Sequence, residues 1–272
     1  TTGGGSAAPV TVTTASALAS AAKSSSPAVI RVSGMISVSG MQKVTSNKTI
    51  VGVGSGSGIS GGGLTLSGAT NVIIQNLNFK DSSDDAINVE QSSTKVWIDH
   101  NTLSHAHDGL IDIKRGSDFI TVSWNKLFNH DKSMLLGHSD DNGSQDRGHL
   151  RVTYHHNWFD GTTQRHPRVR FGDPVHVYNN YYAGVTSYGV ASTMEAGVLV
   201  EGNYFENVKD PFHLGEAGSP PGALVARNNY LVNSGAGQQG GTVKAIPYAY
   251  TVDTPSGVKA AVQNGAGVGK VG

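Results

Sequence analysis

The 272-residue sequence predicts an all-β protein in the form of a parallel β-helix, in which short strands stack coil upon coil. Three observations predict this fold. Short segments of alternating apolar residues recur along the chain at a nearly constant spacing. The composition, with 36 glycines and 37% hydrophobic residues, is typical of many short strands joined by turns. Helix-forming patterns are confined to the two ends of the chain.

The repeat consists of an alternating strand, then asparagine, then an aromatic or aliphatic pair, as in VWIDHNTL (96–103) and VLVEGNYF (198–205). Equivalent positions on successive coils of a β-helix lie about 4.8 Å apart, so the asparagines should form a hydrogen-bonded ladder. Their spacings are 24, 32, 23, 23 and 26, and an insertion over 139–146 accounts for the long one. The six asparagines are Asn101, Asn125, Asn157, Asn180, Asn203 and Asn229. An antiparallel sandwich with coincidentally spaced turns is the alternative.

Two helices are predicted, one near each end. Thr13 or Thr14 can cap a helix that runs to Lys23, and Pro27 stops it. This helix would cover the open edge of the first coil, which otherwise invites pairing with another strand. A second short helix is predicted over 256–263.

We expect one domain over residues 1–272, with an N-terminal cap at about 10–27 and a C-terminal tail at about 245–272 packed on the coils. The formal net charge is +0, which does not favour nucleic acid or a membrane surface as partner. The chain has no cysteine, which excludes disulfides, thiolate metal sites and cysteine nucleophiles. No apolar run reaches the roughly 20 residues of a membrane helix.

The period also predicts which charged residues lie on neighbouring coils. Adding it along the chain gives an acidic strip on the early coils that becomes basic on the later ones. The first column holds Asp84 or Asp85, Asp108, Lys132 and Arg165; the second Glu90, Lys114, His138 and Arg170; the third Asn88, Asp112, Leu136 and Arg168.

The acidic part of this strip is a candidate calcium site. Carboxylates stacked about 5 Å apart are costly unless a cation neutralises them, and calcium prefers oxygen ligands. Asp85, Asp108 and Asp112 are the predicted ligands. Asp108 and Asp112 can share one ion only if the backbone bends between them, and Gly109 could permit the bend. Alternatively, each aspartate caps a turn.

The basic part is dominated by the segment QRHPRVRFG (164–172), which places three arginines within six residues. The planar guanidinium fork suits carboxylates, so this segment predicts an anion site. A solvated basic strand is the alternative.

Several segments resemble the pectate lyases of polysaccharide lyase family 1. They are VWIDHN (96–101), DGLIDIKRGSDFITVSWN (108–125), HDKSML (130–135), TYHHNWF (153–159), QRHPRVRFG (164–172) and VHVYNNYY (175–182). The resemblance implies a right-handed β-helix, a calcium cofactor and β-elimination on polygalacturonate, the de-esterified form of pectin. The chain departs from the family's pattern because it is short, as if the long loops of many members were trimmed.

The resemblance also implies roles for individual residues. Arg165 matches the family's catalytic base. The substrate-binding residues would be Lys132, Arg170, Lys114 and Arg168. The calcium ligands would be Asp85, Asp108 and Asp112.

Three other functions stay open at this point. They are a calcium-independent pectin lyase on methyl-esterified polymer, a polygalacturonase that uses paired carboxylates, and a non-catalytic carbohydrate-binding solenoid. A plant polymer as substrate leads us to expect a secreted protein, and a capped solenoid leads us to expect a monomer.

Overall fold

A computed structural model describes residues 1–271. The chain forms a right-handed parallel β-helix in which three parallel sheets run along the stack, so the predicted fold class is confirmed. Sheet A has ten strands, sheet B nine and sheet C eight. Each of the eight complete coils contributes one strand to each sheet in turn, and apolar side chains from all three sheets fill the interior.

The strand bounds follow the repeat. Sheet A comprises Val10–Val12, Ala28–Val32, Lys48–Gly52, Thr70–Gln75, Thr94–Asp99, Asp118–Ser123, Val152–His155, Val175–Tyr178, Gly197–Glu201 and Ala223–Arg227. Sheet B comprises Met35–Ser37, Gly58–Ser60, Asn78–Lys80, Thr102–Ser104, Lys126–Phe128, Trp158–Asp160, Tyr181–Ala183, Tyr204–Glu206 and Tyr230–Val232. Sheet C comprises Met41–Lys43, Gly63–Ser67, Ile87–Glu90, Ile111–Ile113, Met134–Leu136, Arg168–Arg170, Val190–Thr193 and Phe212–Leu214.

The N-terminal helix spans Ala15–Ala22, and the Thr14 hydroxyl accepts a hydrogen bond from the Ala17 amide as its N-cap. Leu18 and Ala22 are buried in the main hydrophobic core, so the helix closes the first coils as predicted. The short strand Val10–Val12 precedes the helix and extends sheet A by one strand.

The C-terminal helix spans Val258–Gly265 and follows a 3₁₀ turn at Pro255–Gly257. Its buried Val258 and Val262 pack with Tyr181 on the outside of the stack. Gly272, the last residue of the predicted tail, lies outside the described residues. In residues 1–271, no helix combines the length and hydropathy of a membrane span.

The asparagine ladder is present. The side-chain amide of Asn101 donates to Asn125 at 3.1 Å, and the same contact is repeated between each of the next pairs up to Asn229. Each carboxamide oxygen also accepts a backbone amide from the preceding coil, as when Asn157 N donates to Asn180 at 2.9 Å. The insertion predicted over 139–146 leaves the coil as a loop with the short helix Gly143–Asp146.

The structure corrects two members of the predicted columns. Asp112 pairs with Leu135, which in turn pairs with Arg168, so Leu136 is wrong in that column. By the same one-residue slip, Gly137 rather than His138 lies next to Arg170. The turn that leads into Met134–Leu136 is one residue shorter than a 24-residue period requires, which a fixed period cannot represent.

Candidate active site

A group of three carboxylates lies where sheet C begins on two neighbouring coils. One oxygen from each of Asp84, Asp85 and Asp108 lies within 4.8 Å of the others. The Asp85 carboxylate is buried and accepts a hydrogen bond from the Gly109 amide at 2.9 Å. Burial, together with Asp108 and Asp84, raises the pKa of Asp85 to about 6 despite that hydrogen bond and the charge of Lys114. This crowding of carboxylates favours binding of a cation.

Asp112 lies beside this group but not within it. It is buried on the strand Ile111–Ile113 and accepts a hydrogen bond from the Leu135 amide at 3.3 Å. Burial, and then the nearby Asp85, raises its pKa well above the ordinary aspartate value. Gly109 is essential to this packing, because a Cβ at that position would lie 2.1 Å from the Asp112 carboxylate. The absence of a side chain at Gly109 therefore leaves the space that the Asp112 carboxylate occupies.

Two lysines face the carboxylates. Lys114 Nζ lies 3.9 Å from Asp85, and Lys132 Nζ lies 3.8 Å from Asp108. Both distances are long for a hydrogen bond, so each ammonium group partly neutralises the cluster without being fixed by it.

An open polar cavity of about 560 Å³ adjoins Asp108 and Lys132. His130 lies in its wall, and its Nε2 bonds to the Asp108 carbonyl while its Nδ1 receives the Ala106 amide. These contacts define Nε2 as the protonated nitrogen and hold the turn that carries Asp108.

Arg165 lies on the coil after Lys132, in the turn that enters the strand Arg168–Arg170. The register pairs Lys132 with Gln164, so Arg165 is two coils, or about 10 Å, from Asp108 on the same side of the stack. Its backbone has a positive φ of 66°, an uncommon conformation for an arginine, and its buried Nε has no hydrogen-bond partner among the described residues. An unpaired buried donor in a strained turn is typical of a functional residue.

The turn that carries Arg165 is held from inside the solenoid. His166 is fully buried, with its Nε2 2.7 Å from the Thr162 hydroxyl and its Nδ1 2.9 Å from the Tyr188 carbonyl. The Tyr182 hydroxyl donates to the His166 carbonyl at 2.7 Å. These interior contacts fix the backbone of the turn directly after Arg165.

Arg168 and Arg170 both project outward from sheet C. Arg168 donates to the Ser219 hydroxyl at 3.1 Å, and burial, followed by Arg170, lowers its pKa. Arg170 donates from Nε to Asp140 and from Nη1 to the Gly137 carbonyl, each at 2.7 Å. Both guanidinium groups are therefore held by other residues of the chain.

The structure brings all of the predicted site residues to one strip formed by the outer face of sheet C and the turns that enter and leave it. Sequence reasoning missed Asp140 and Ser219, which lie outside the repeat. It also missed the buried Tyr188, which the register places beside Arg165 on the next coil. Burial and Glu216 raise the pKa of Tyr188 to about 12, against the nearby guanidinium groups of Arg168 and Arg165. The stacking arithmetic could have identified Tyr188, whereas Asp140 and Ser219 carry no periodic signal.

A family model described as pectate lyase matches residues 1–271. The chain belongs to the pectate lyase family. The resemblance noted in the sequence is thereby confirmed, and the protein is an enzyme, a lyase acting on a polysaccharide.

Individual relatives support this membership. A pectate trisaccharide-lyase of Bacillus licheniformis is 39% identical over 292 residues, which cover 100% of this chain and 84% of the relative. Pectate lyase E of Dickeya chrysanthemi is 34% identical and covers 91% of this chain and 81% of its own length. The crystal structure of a pectate lyase from Bacillus sp. N165 in complex with trigalacturonate superposes with a TM-score of 0.92 at 32% identity, covering 100% of this chain and 97% of that one.

Proposed function

We propose that this pectate lyase is a secreted, monomeric, single-domain enzyme that cleaves polygalacturonate by calcium-dependent β-elimination, with Arg165 as the base. One observation carries the proposal. The cluster of three carboxylates, which is suited to a cation, lies on the same strip as Arg165, whose buried Nε has no partner among the described residues; Asp108 and Arg165 are two coils apart. The trigalacturonate in the similar Bacillus structure is the same class of ligand, an oligomer of acidic sugars.

The residues present fit a calcium ion. Asp84, Asp85 and Asp108 offer hard oxygen ligands within reach of one another, and Asp112 supplies a further buried carboxylate next to Asp85. We propose Asp85, Asp108 and Asp112 as ligands, with Asp84 as an additional candidate. When bound, calcium would draw charge from the substrate carboxylate and so favour loss of the neighbouring proton.

The protein's own residues would bind the sugar acid and move the proton. Lys132 and Arg170 would hold the carboxylate of the galacturonate unit, with Lys114 and Arg168 extending the basic surface. Arg165 would remove the proton on C5, next to that carboxylate. The electron pair of the C5–H bond would form the C4–C5 double bond as the C4–O bond breaks, and the leaving oxygen would take a proton from solvent. The product is a 4,5-unsaturated oligogalacturonide.

Arg165 lies in the turn that enters the strand carrying Arg168 and Arg170, so its side chain is in the most basic part of the strip, where an acidic sugar would bind. Its buried Nε has no hydrogen-bond partner among the described residues. A hydrolase such as a polygalacturonase gives this arginine cluster no role, since that chemistry depends on a pair of carboxylates.

The test is an assay on polygalacturonate and on methyl-esterified pectin, with and without a chelator, that follows the ultraviolet absorbance of the unsaturated product. We expect product from polygalacturonate, loss of activity with chelator and recovery with added calcium. Asp85→Asn should raise the calcium concentration that restores activity, while Asp141→Asn, at an exposed loop position, should not. Activity that survives the chelator and prefers the methyl ester would identify a pectin lyase, and new reducing ends without unsaturation would identify a hydrolase.

A further inference from the structure

Two loops from different parts of the chain meet over the paired arginines of sheet C. One is the insertion after the strand Met134–Leu136, which carries Asp140, and the other follows the strand Phe212–Leu214 and carries Ser219. The Ser219 hydroxyl lies 2.7 and 2.9 Å from the two oxygens of Asp140. Residues 79 positions apart thus form one contact above the site.

Asp140 and Ser219 are the centre of a continuous hydrogen-bond network. Asp140 accepts from Arg170 Nε at 2.7 Å, and Ser219 accepts from Arg168 Nη2 at 3.1 Å. Although partial burial opposes it, hydrogen bonds from Arg170 and Ser219 lower the pKa of Asp140, so it stays an anion. The network brings one negative charge to two adjacent positive ones and leaves the strip with a net positive charge at this coil.

The network fixes which edge of Arg170 faces outward. Its Nε is bound to Asp140 and its Nη1 to the Gly137 carbonyl, while Nη2 donates to no protein group in the part of the chain that the structure describes. Gly137 has a φ of 91°, and a Cβ there would lie 2.8 Å from Arg170 Cβ, so glycine permits the close approach on that side. A guanidinium held on two sides loses little further freedom when an anion binds the third.

We propose that Asp140, linked to Ser219, is a positioning residue that orients Arg170 for the carboxylate of the substrate. This inference rests on the proposed role of Arg170 in substrate binding. Asp140 does not touch the sugar; it acts through Arg170 and joins the two loops. Its loss would let the long arginine side chain sample other rotamers and weaken binding of the sugar acid.

The test compares Asp140→Asn with Asp141→Asn, its exposed neighbour, in steady-state kinetics on polygalacturonate. Asp140→Asn keeps the size of the side chain but removes its charge, and we expect KM to rise about tenfold with a much smaller change in kcat. Asp141→Asn should leave both constants unchanged. Ser219→Ala, which leaves the Asp140–Arg170 contact in place, should raise KM less than Asp140→Asn does. It also supplies a second variant if Asp140→Asn lowers the yield of folded protein.

A double-mutant cycle with Arg170→Lys separates positioning from general support of the fold. If Asp140 acts through Arg170, the double variant should have the KM of Arg170→Lys alone, within about twofold. Multiplication of the two effects would refute positioning and indicate an independent role for Asp140. If Arg170→Lys itself leaves KM unchanged, the proposed role of Arg170 fails. If KM is normal in folded Asp140→Asn or Ser219→Ala but raised in Arg170→Lys, the positioning role of Asp140 is refuted while the proposed role of Arg170 stands.

Discussion

At the scale of single residues, the site is made by side chains that the fold leaves incompletely paired. Asp85 and Asp112 are buried beside each other with raised pKa values, which costs stability unless a cation is bound. Arg165 presents a buried donor without a partner in residues 1–271, whereas Arg170 is held on two sides. This contrast suits their proposed roles, because a base must exchange a proton and a binding residue must keep its place.

The role of Arg165 predicts the effect of a charge-conserving substitution. We expect Arg165→Lys to lower kcat about 10²–10⁴-fold, the usual contribution of a positioned base, because a lysine ammonium cannot reproduce the place and proton affinity of the guanidine. The thermal midpoint should stay close to that of the parent protein. The measurement is product absorbance on polygalacturonate beside a thermal scan. Arg31→Lys, an exposed change on sheet A, is the control. If Arg165→Lys kept more than a tenth of the parent rate, Arg165 would not be the base.

At the scale of structural elements, the asparagine ladder links the coils at the turn between sheets A and B. Asn180 lies within it, and its side chain makes four hydrogen bonds of 2.9–3.1 Å, to Asn157 N, Asn157 Nδ2, Tyr154 O and Asn203 Oδ1. Asn229 forms the C-terminal end and is only partly buried. The ladder should therefore contribute most in the middle of the stack.

This position dependence gives a prediction for stability. Asn180→Ala should lower the free energy of unfolding by about 3–5 kcal/mol, because it leaves several buried polar groups without partners. Asn229→Ala should cost about 1 kcal/mol, because water can reach the groups it exposes. Urea denaturation followed by circular dichroism measures both. Equal losses at the two positions would show that the ladder is not a buried network of coupled contacts.

The elements also explain what the sequence could predict. The strands and the Asn turn keep nearly the same length in successive coils, so the ladder and the alignment of Lys132 with Gln164 follow from spacing once the insertion over 139–146 is counted. The turns that enter sheet C vary in length, and one missing residue there is enough to replace Leu136 by Leu135 beside Asp112. The contact of Asp140 with Ser219 joins two irregular loops, whose paths depend on tertiary packing and leave no repeat in the sequence.

At the scale of the whole molecule, packing keeps two histidines neutral, His166 inside the coils and the partly buried His155 on the outer face of sheet A, stacked on Tyr178. Burial lowers the pKa of His166 to about 4, against the hydrogen bonds with Tyr188 and Gly189. Burial, then the charge of His156, lowers the pKa of His155 to about 4 as well. Both histidines take up protons more readily in the unfolded chain, whose histidine pKa is about 6.5. Their contribution to stability is complete above that pH and is lost as the pH falls through 4.

Acidification should therefore weaken the fold through these groups, by about 3 kcal/mol for each at most. Asp85 opposes this trend, because its raised pKa makes the metal-free protein lose stability as the pH rises from about 4 through 6.

Comparing variants removes the contribution of Asp85, since every variant keeps this residue. We expect the free energy of unfolding of His155→Gln to fall less than that of the parent between pH 6.5 and pH 4, in urea titrations with chelator present. His105→Gln, at an exposed position, should follow the parent. Parallel curves for the parent and His155→Gln would mean that His155 is not held neutral by the fold.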